Sequence, residues 1–259
     1  MLSKSKIKYI RSLAMKKFRN ETGCFLAEGN KLVRDILPYF ECELLVAKPS
    51  WMAQQGDLRA GELIAVDNND IEKASLLKTP QDVIAVFKQP DYLLDREELK
   101  QDLSLVLDGV QDPGNMGTMV RLADWFGIKN IICSPDTVDI FNPKTVQATM
   151  GAIARVKVFY TELPELLNDL KDLPVYGAFL EGNNIYEESL SANGLIVMGN
   201  EGKGISRPVA RYISRKLHIP NYPAGTETTE SLNVAVATAI TCSEFRRRRN
   251  SPNCPSCAQ

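Results

Sequence analysis

Apolar positions in this chain switch repeatedly between a period of about 3.6 and short strand-like runs, so helices and strands are expected to alternate. Ile7, Ile10, Leu13 and Ala14 share one face of a basic amphipathic helix. A strand near Phe25, a helix over 30–37 and a strand at 44–46 follow. Then come a helix at 51–58, a strand at 63–66, a helix from Asp70 and a strand at 83–87. This pattern predicts a small α/β domain over 1–88. Residues 89–101 hold Pro90, four acidic side chains and little apolar periodicity, and read as a linker.

A second α/β domain is predicted over 102–249. The run at 103–107 is nearly all apolar, as suits a strand covered on both faces. Further strands are expected at 131–133, 156–159, 175–179, 195–198 and 217–219, with helices at 115–126, 142–150, 162–172 and 231–247. That alternation implies a mainly parallel sheet. The last helix carries Leu232, Val234, Val236, Ala239 and Ile240 nearly all round, so its first half is expected to be buried. Residues 250–259 read as a flexible tail.

With 259 residues and a net charge of −1, the chain as a whole is no basic nucleic-acid binder. Local charge changes that picture. Residues 1–20 contain seven Lys and Arg and no acid, with Arg11, Lys16, Lys17 and Arg19 as candidate RNA contacts. Arg207, Arg211 and Arg215 would stack on one face if a helix ran through them, and 246–249 is an unbroken arginine run. A solvated surface explains each cluster equally well. The basic N-terminus lacks a following apolar core, no run is long enough to span a bilayer, and the six cysteines are scattered, so the chain reads as cytoplasmic. Cys254 and Cys257 have CxxC spacing but no second pair, and no metal site is expected.

Three polar blocks stand where strands give way to loops, the place where open α/β sheets bind ligands. Gly199-Asn-Glu-Gly-Lys-Gly204 departs from both the P-loop and the dinucleotide fingerprint. It still allows a tight turn with accessible backbone, and Glu201 among three glycines suggests more than a turn. In Asn115-Met-Gly-Thr-Met-Val-Arg121, Asn115 is either a helix cap or a substrate group. Arg121, flanked by Val120 and Leu122, needs either an acidic neighbour or a phosphate. Ile219-Pro220 ends a strand, a Thr- and Gly-rich loop reaches Glu230 as a candidate lid, and Ser231-Leu-Asn-Val opens the last helix. Ser231 reads as a cap or a site group; Asn233 is harder to assign to structure.

These blocks, as Asn-x-Gly-x-x-x-Arg, Gly-x-Glu-x-x-Gly, and Ile-Pro with Ser-Leu-Asn-Val-x-Val-Ala, resemble the three motifs of the SpoU (TrmH-like) RNA ribose 2′-O-methyltransferases of the SPOUT superfamily. The resemblance covers about 103–247, with Ala235 where members have serine. Residues 25–29 and 82–87 resemble the ribosomal-protein-like substrate-binding domain of many members. The resemblance implies a C-terminal trefoil knot, a homodimer, and S-adenosylmethionine held largely by backbone at Gly199, Ile219 and Leu232. It places Asn115, Arg121, Glu201, Ser231 and Asn233 at the family's functional positions.

Methyl transfer from S-adenosylmethionine to a ribose 2′-hydroxyl of RNA is therefore expected, with rRNA favoured over tRNA because short tRNA-acting members lack so large an N-terminal domain. Arg121 is expected first to orient the target phosphate and only second to act as base, since a guanidinium releases its proton reluctantly. The competing readings are an RNA-binding module with a vestigial methyltransferase site and, disfavoured by the missing fingerprint, a nucleotide-dependent oxidoreductase.

Overall fold

In a computed structural model, which describes residues 1–223, 226 and 229–249, the chain forms two compact units. The loop residues 224, 225, 227 and 228 and the tail at 250–259, with Cys254 and Cys257, lie outside the described residues.

The first unit begins with α1 (Lys4–Ser12), capped by Ser3, and α2 (Lys16–Thr22). It continues through β1 (Cys24–Glu28), α3 (Asn30–Ile36), β2 (Cys42–Ala47), α4 (Pro49–Met52), β3 (Glu62–Ala65), α5 (Asn68–Ala74) and β4 (Val83–Lys88). The strands lie in the order β1-β4-β2-β3, with β4 antiparallel to both neighbours and β2 parallel to β3. Alternation along the strands divides the core between two faces. Leu26, Leu44, Val46, Ile84 and Val86 meet Ile10 and Leu13 of the N-terminal helices and Ile71 of α5. On the opposite face Phe25 packs against Phe40 and Phe87, with ring centroids 5.2 and 5.5 Å apart.

The supposed linker is partly structured. Asp95 caps α6 (Arg96–Gln101), whose Leu99 is fully buried. From there the second unit runs through β5 (Leu103–Asp108), α7 (Pro113–Trp125) and β6 (Asn130–Cys133). The next helix, α8 (Pro143–Thr149), departs from the linear division expected from sequence. The segment Asp139–Ala154 belongs with the first unit, where Phe141 lies 4.9 Å from Phe25 and Asp139 pairs with Arg19. Three residues of one aromatic cluster are far apart in sequence from Phe141, which local periodicity cannot reveal.

The second unit resumes with β7 (Lys157–Tyr160), α9 (Leu163–Asp169), β8 (Val175–Asn184), β9 (Gly194–Gly199), α10 (Arg207–Ala210), β10 (Arg215–His218) and α11 (Val234–Arg249). Its six strands are all parallel, in the order β10-β8-β9-β5-β6-β7. The expected parallel α/β sheet is thus present. Val106, Ile132 and Val197 pack under Leu99 of α6, Leu166 and Leu167 of α9 and Val209 of α10. On the other face α7 and α11 pack on each other and against β6 and β9.

Two expectations about helices need correcting. The helix through Arg207, Arg211 and Arg215 does not exist: α10 stops at Ala210, and Arg215 lies in β10, bonded to Glu188 at 2.5 Å. The last helix starts at Val234 rather than Ser231, and its first half is only partly buried. Val234 and Ala235 are buried, whereas Val236 stays 49 % exposed.

Candidate functional site

The first two blocks and Asn233 of the third converge at the carboxyl ends of β5 and β9 and the start of α11. Chain direction explains why: β5 and β9 are parallel neighbours in register from Leu103↔Gly194 to Asp108↔Gly199, so both release their loops on the same side. The Gly199 backbone needs that residue type, because a Cβ there would lie 2.2 Å from the Gly204 carbonyl carbon. The chain then turns back on itself. Asn200 and Gly204 exchange backbone hydrogen bonds at 3.0 and 2.9 Å, and Asn200 Oδ1 accepts from the amides of Gly202 and Lys203, both at 3.0 Å.

Glu201, at the tip of this turn, is the centre of the network. Its Oε2 accepts from the Gln111 amide at 3.1 Å, and its Oε1 from the Asp112 amide and from Asn115 Nδ2, both at 3.1 Å. A carboxylate only accepts, so the Asn115 amide must turn its nitrogen toward Glu201 and leave Oδ1 free. Asn233 Nδ2 donates to that oxygen at 3.0 Å. The remaining Asn233 Oδ1 accepts from the Ala235 and Val236 amides at 2.9 and 3.3 Å and so caps α11. One acceptor-only group thereby sets both amide orientations across three loops.

The capping assignments differ from those expected. Asp112, not Asn115, caps α7, accepting from the Asn115 amide at 2.8 Å, with Pro113 at the first helical position. The Asp-Pro pair is a start signal that was present in the sequence. Asn233, not Ser231, caps α11, and Ser231 is exposed. Asn200, whose side chain builds the glycine turn, was not singled out by sequence; an Asn between Gly and Glu carried no periodic signal.

Burial alone pushes the Glu201 carboxyl up, but the hydrogen bonds from Asn115 and from the amides of Glu201, Asp112 and Gln111 together outweigh it, and its pKa is lowered. An ionised carboxylate already accepting from these donors is a poor general base. Its chemistry is orientation of Asn115.

Arg121 is exposed on α7, and no hydrogen bond or ion pair engages it among the described residues. Of the two alternatives, an acidic neighbour or a phosphate, no acidic neighbour is present there, and its side chain is exposed while Met116, Met119, Val120 and Ala123 of the same helix are buried. Gly199 is buried, Ile219 half-buried and Leu232 48 % exposed. These three put a glycine backbone and two apolar side chains on the segments that leave β9 and β10 and enter α11. Such a set, with no charge of its own, suits the faces of a heterocycle.

The expected RNA-contacting set does not stand as a group. Arg19 is only 1 % exposed. Its Nε and Nη2 donate to Asp139 Oδ2 at 3.0 and 2.6 Å, and its Nη1 donates to the Leu13 and Ala14 carbonyls at 2.9 and 3.0 Å. It is a structural residue, and that expectation is withdrawn. Arg11 is exposed but donates through Nη1 to the carbonyls of Lys73 and Ser75. Lys16 and Lys17 are exposed, with Glu21 3.8 Å from Lys17. In the C-terminal run, Arg246 donates to the Phe126 and Gly127 carbonyls beyond the end of α7, and Arg247 and Arg248 pair with Glu244.

A parallel sheet with helices on both faces and a polar network across its carboxyl ends defines an α/β enzyme whose ligands lie at those ends. Comparison with known proteins narrows the class. Residues 102–243 match the SpoU rRNA Methylase family, and residues 4–85 match a domain described as an MRM3-like substrate binding domain. The chain belongs to the SpoU rRNA methylase family. It is similar to the 23S rRNA (guanosine(2553)-2′-O)-methyltransferase RlmP of Bacillus subtilis, at 33 % identity over 91 % of this chain and 93 % of that protein. Among solved structures, a TrmH-family protein from Porphyromonas gingivalis is 42 % identical with a TM-score of 0.87, covering 96 % of this chain and 99 % of that one. An AdoMet-bound rRNA methyltransferase from Sinorhizobium meliloti is 31 % identical with a TM-score of 0.82, covering 97 % of each chain.

Proposed function

We propose that this protein is an S-adenosylmethionine-dependent RNA ribose 2′-O-methyltransferase acting on rRNA. The observation that carries the reading is the Glu201–Asn115–Asn233 network, which fixes two amides at the strand ends and leaves Arg121 exposed on the same helix as Asn115. Gly199, Ile219 and Leu232 would hold the cofactor, which when bound supplies the methyl group. The residue types suit it: a strand-end glycine and two partly open apolar side chains, none of them charged, match the apolar faces of a nucleoside.

A ribose hydroxyl is a weak nucleophile, so most of the catalysis must come from placement and from stabilising charge as its proton leaves. Asn115 and Asn233, held rigid by Glu201, orient the ribose, and Ser231 shapes the pocket mouth. Arg121 binds the target phosphate through its planar fork and stabilises negative charge developing on the oxygen. Base action by Arg121, assisted by that phosphate, is secondary, because a guanidinium stays protonated at neutral pH. No metal enters this scheme.

Matching RlmP over nearly the whole length of both chains favours rRNA over tRNA, and the first unit, with exposed Lys16 and Lys17, serves as the RNA-binding part. The polar network is complete, which speaks against a vestigial site. The second unit carries the family's trefoil knot, consistent with a strand order in which β9 returns beside β5 and β8 and β10 lie outside it. The protein acts as a homodimer on this reading, with exposed Trp125 on α7 and exposed Val236 on α11 as separate apolar candidates for the contact. Among the described residues no helix is long and apolar enough to cross a membrane, and the protein works in the cytoplasm on this reading.

Two measurements test the function. Calorimetry should detect S-adenosylmethionine binding, and a mass-spectrometric map of ribose methylation should lose one rRNA site when the protein is removed. Cofactor binding without any lost site on rRNA, but with one on tRNA, would transfer the activity to tRNA. No cofactor binding would leave the RNA-binding module as the better reading.

A further inference from the structure

The glycine that ends β5 is held by both of its backbone groups. Gly109 has φ +72°, and its N–H donates to Ser134 Oγ at 2.8 Å and to Thr137 Oγ1 at 3.2 Å. Its carbonyl accepts from Asn200 Nδ2 at 2.7 Å. Ser134 and Thr137 follow β6, and Asn200 follows β9, the strands on either side of β5. Ser134 and Thr137 are themselves buried and fixed: Thr137 Oγ1 donates to the Leu107 carbonyl at 3.1 Å, and Ser134 Oγ to Asp136 Oδ1 at 2.5 Å.

The grip continues along the loop. The Val138 amide donates to the Val110 carbonyl at 2.9 Å, and Gln111 Nε2 to the Asp136 carbonyl at 2.5 Å. The next two amides, of Gln111 and Asp112, are those that bind Glu201, and Asp112 then caps the helix bearing Asn115 and Arg121. Asn200 acts on Glu201 from the other side as well, because its Oδ1 shapes the turn that carries it.

We infer that Asn200, Ser134 and Thr137 are positioning residues for methyl transfer, acting through Gly109 to place the two amides that hold Glu201 and, through it, Asn115. None of the three belongs to the polar set assigned above. The inference rests on the methyltransferase reading, but the clasp itself has a readout that does not.

Asn200→Asp separates the two functions of that side chain. The carboxylate still accepts from Gly202 and Lys203, yet it cannot donate to the Gly109 carbonyl. Thr137→Val removes the hydroxyl at nearly constant shape, and Thr137→Ser restores it. With RNA and cofactor saturating, the single-turnover rate of Asn200→Asp should fall about 10- to 100-fold, the range expected when a catalytic group is misplaced by up to an ångström. Thr137→Val should show a smaller loss, because Ser134 remains, and Thr137→Ser should recover. Cofactor affinity should stay within about threefold throughout. Combined with Glu201→Gln, Asn200→Asp should cost less than the product of the single effects, since both act on one group.

In the protein without ligands, the Gly109 amide should exchange with solvent at least about tenfold faster in Thr137→Val, and the Gln111 and Asp112 amides faster in Asn200→Asp. Unchanged rates of transfer in both variants, or multiplicative effects with Glu201→Gln, would overturn the inference. Should the wild-type protein methylate no RNA, the functional reading fails on its own. The clasp is then decided by exchange, and unchanged protection over 109–112 in Asn200→Asp refutes it.

Discussion

Two arginines that look alike in sequence should fail in opposite ways when replaced. Arg19→Met keeps most of the buried stem and removes the guanidinium. It leaves the Asp139 carboxylate, 15 % exposed, without its cation, and the Leu13 and Ala14 carbonyls without a donor. Breaking one side of a buried ion pair costs about 3–5 kcal/mol, and each stranded acceptor about 1–3 kcal/mol. Residual exposure of Asp139 lets water offset part of this, so we expect a loss of about 3 kcal/mol. The chain holds two compact units, so a single global transition is a poor measure. Of its two tryptophans, Trp51 is 3 % exposed in the first unit, whereas Trp125 is 84 % exposed in the second. Emission shifts on unfolding therefore report chiefly on the first unit. With slopes of about 1–3 kcal/mol per molar urea, the Trp51 midpoint should drop by about 1 M or more. RNA affinity measured well below that midpoint should be unchanged. A midpoint within error of wild type, accompanied by weaker RNA binding, would refute the assignment of Arg19 as a buried staple.

Arg121→Ala should show the converse: the single-turnover rate falls at least about 100-fold while cofactor affinity and the unfolding midpoint hold, because Arg121 has no partner to lose among the described residues. Near-normal transfer would remove Arg121 from the mechanism; Arg121→Lys should recover little of the rate, since an ammonium lacks the planar fork. Gly199→Ala puts a Cβ 2.2 Å from the Gly204 carbonyl carbon, and soluble protein with normal cofactor affinity would contradict so tight a turn. Burial lifts the Glu28 pKa despite hydrogen bonds from Ser75 and Leu76. Because the folded value is raised, the contribution of Glu28 to stability is fully present below the unfolded pKa of about 4.3 and is lost as pH rises through the folded value. Glu28→Gln should therefore flatten the decline of the Trp51 midpoint with rising pH above that point, and an identical slope in the two proteins would argue against it.

Most elements of this fold can be read from local pattern. The apolar run at 103–107 is β5, and the alternation of strands with helices foretold the parallel sheet. Short-range signals also marked the site, because a motif at the end of a strand is a local event: glycines for the turn, then Glu201, then Asn233 at a helix start. At the helix starts the competing signals were local too. Asn115 and Ser231 are plausible caps, but Asp112 before Pro113 and Asn233 before Val234 stand at the true helix starts. The arginines at 207, 211 and 215 had helical spacing without a helix, since α10 ends after one turn.

Sequence alone therefore determined most of the elements and which residue types gather chemistry at their ends. Tertiary structure decided what each polar side chain faces. Arg19 and Asp139 are 120 residues apart, Asn115 and Glu201 are 86, and Asn115 and Asn233 are 118. No periodicity spans such distances, so a buried arginine staple and an exposed, unpaired arginine read the same along the chain. The pairing of β5 with both β6 and β9 made the difference at the site, bringing Ser134, Thr137 and Asn200 to one glycine. Hydrogen bonds are short-ranged and directional, and only the folded arrangement of strand ends can satisfy them.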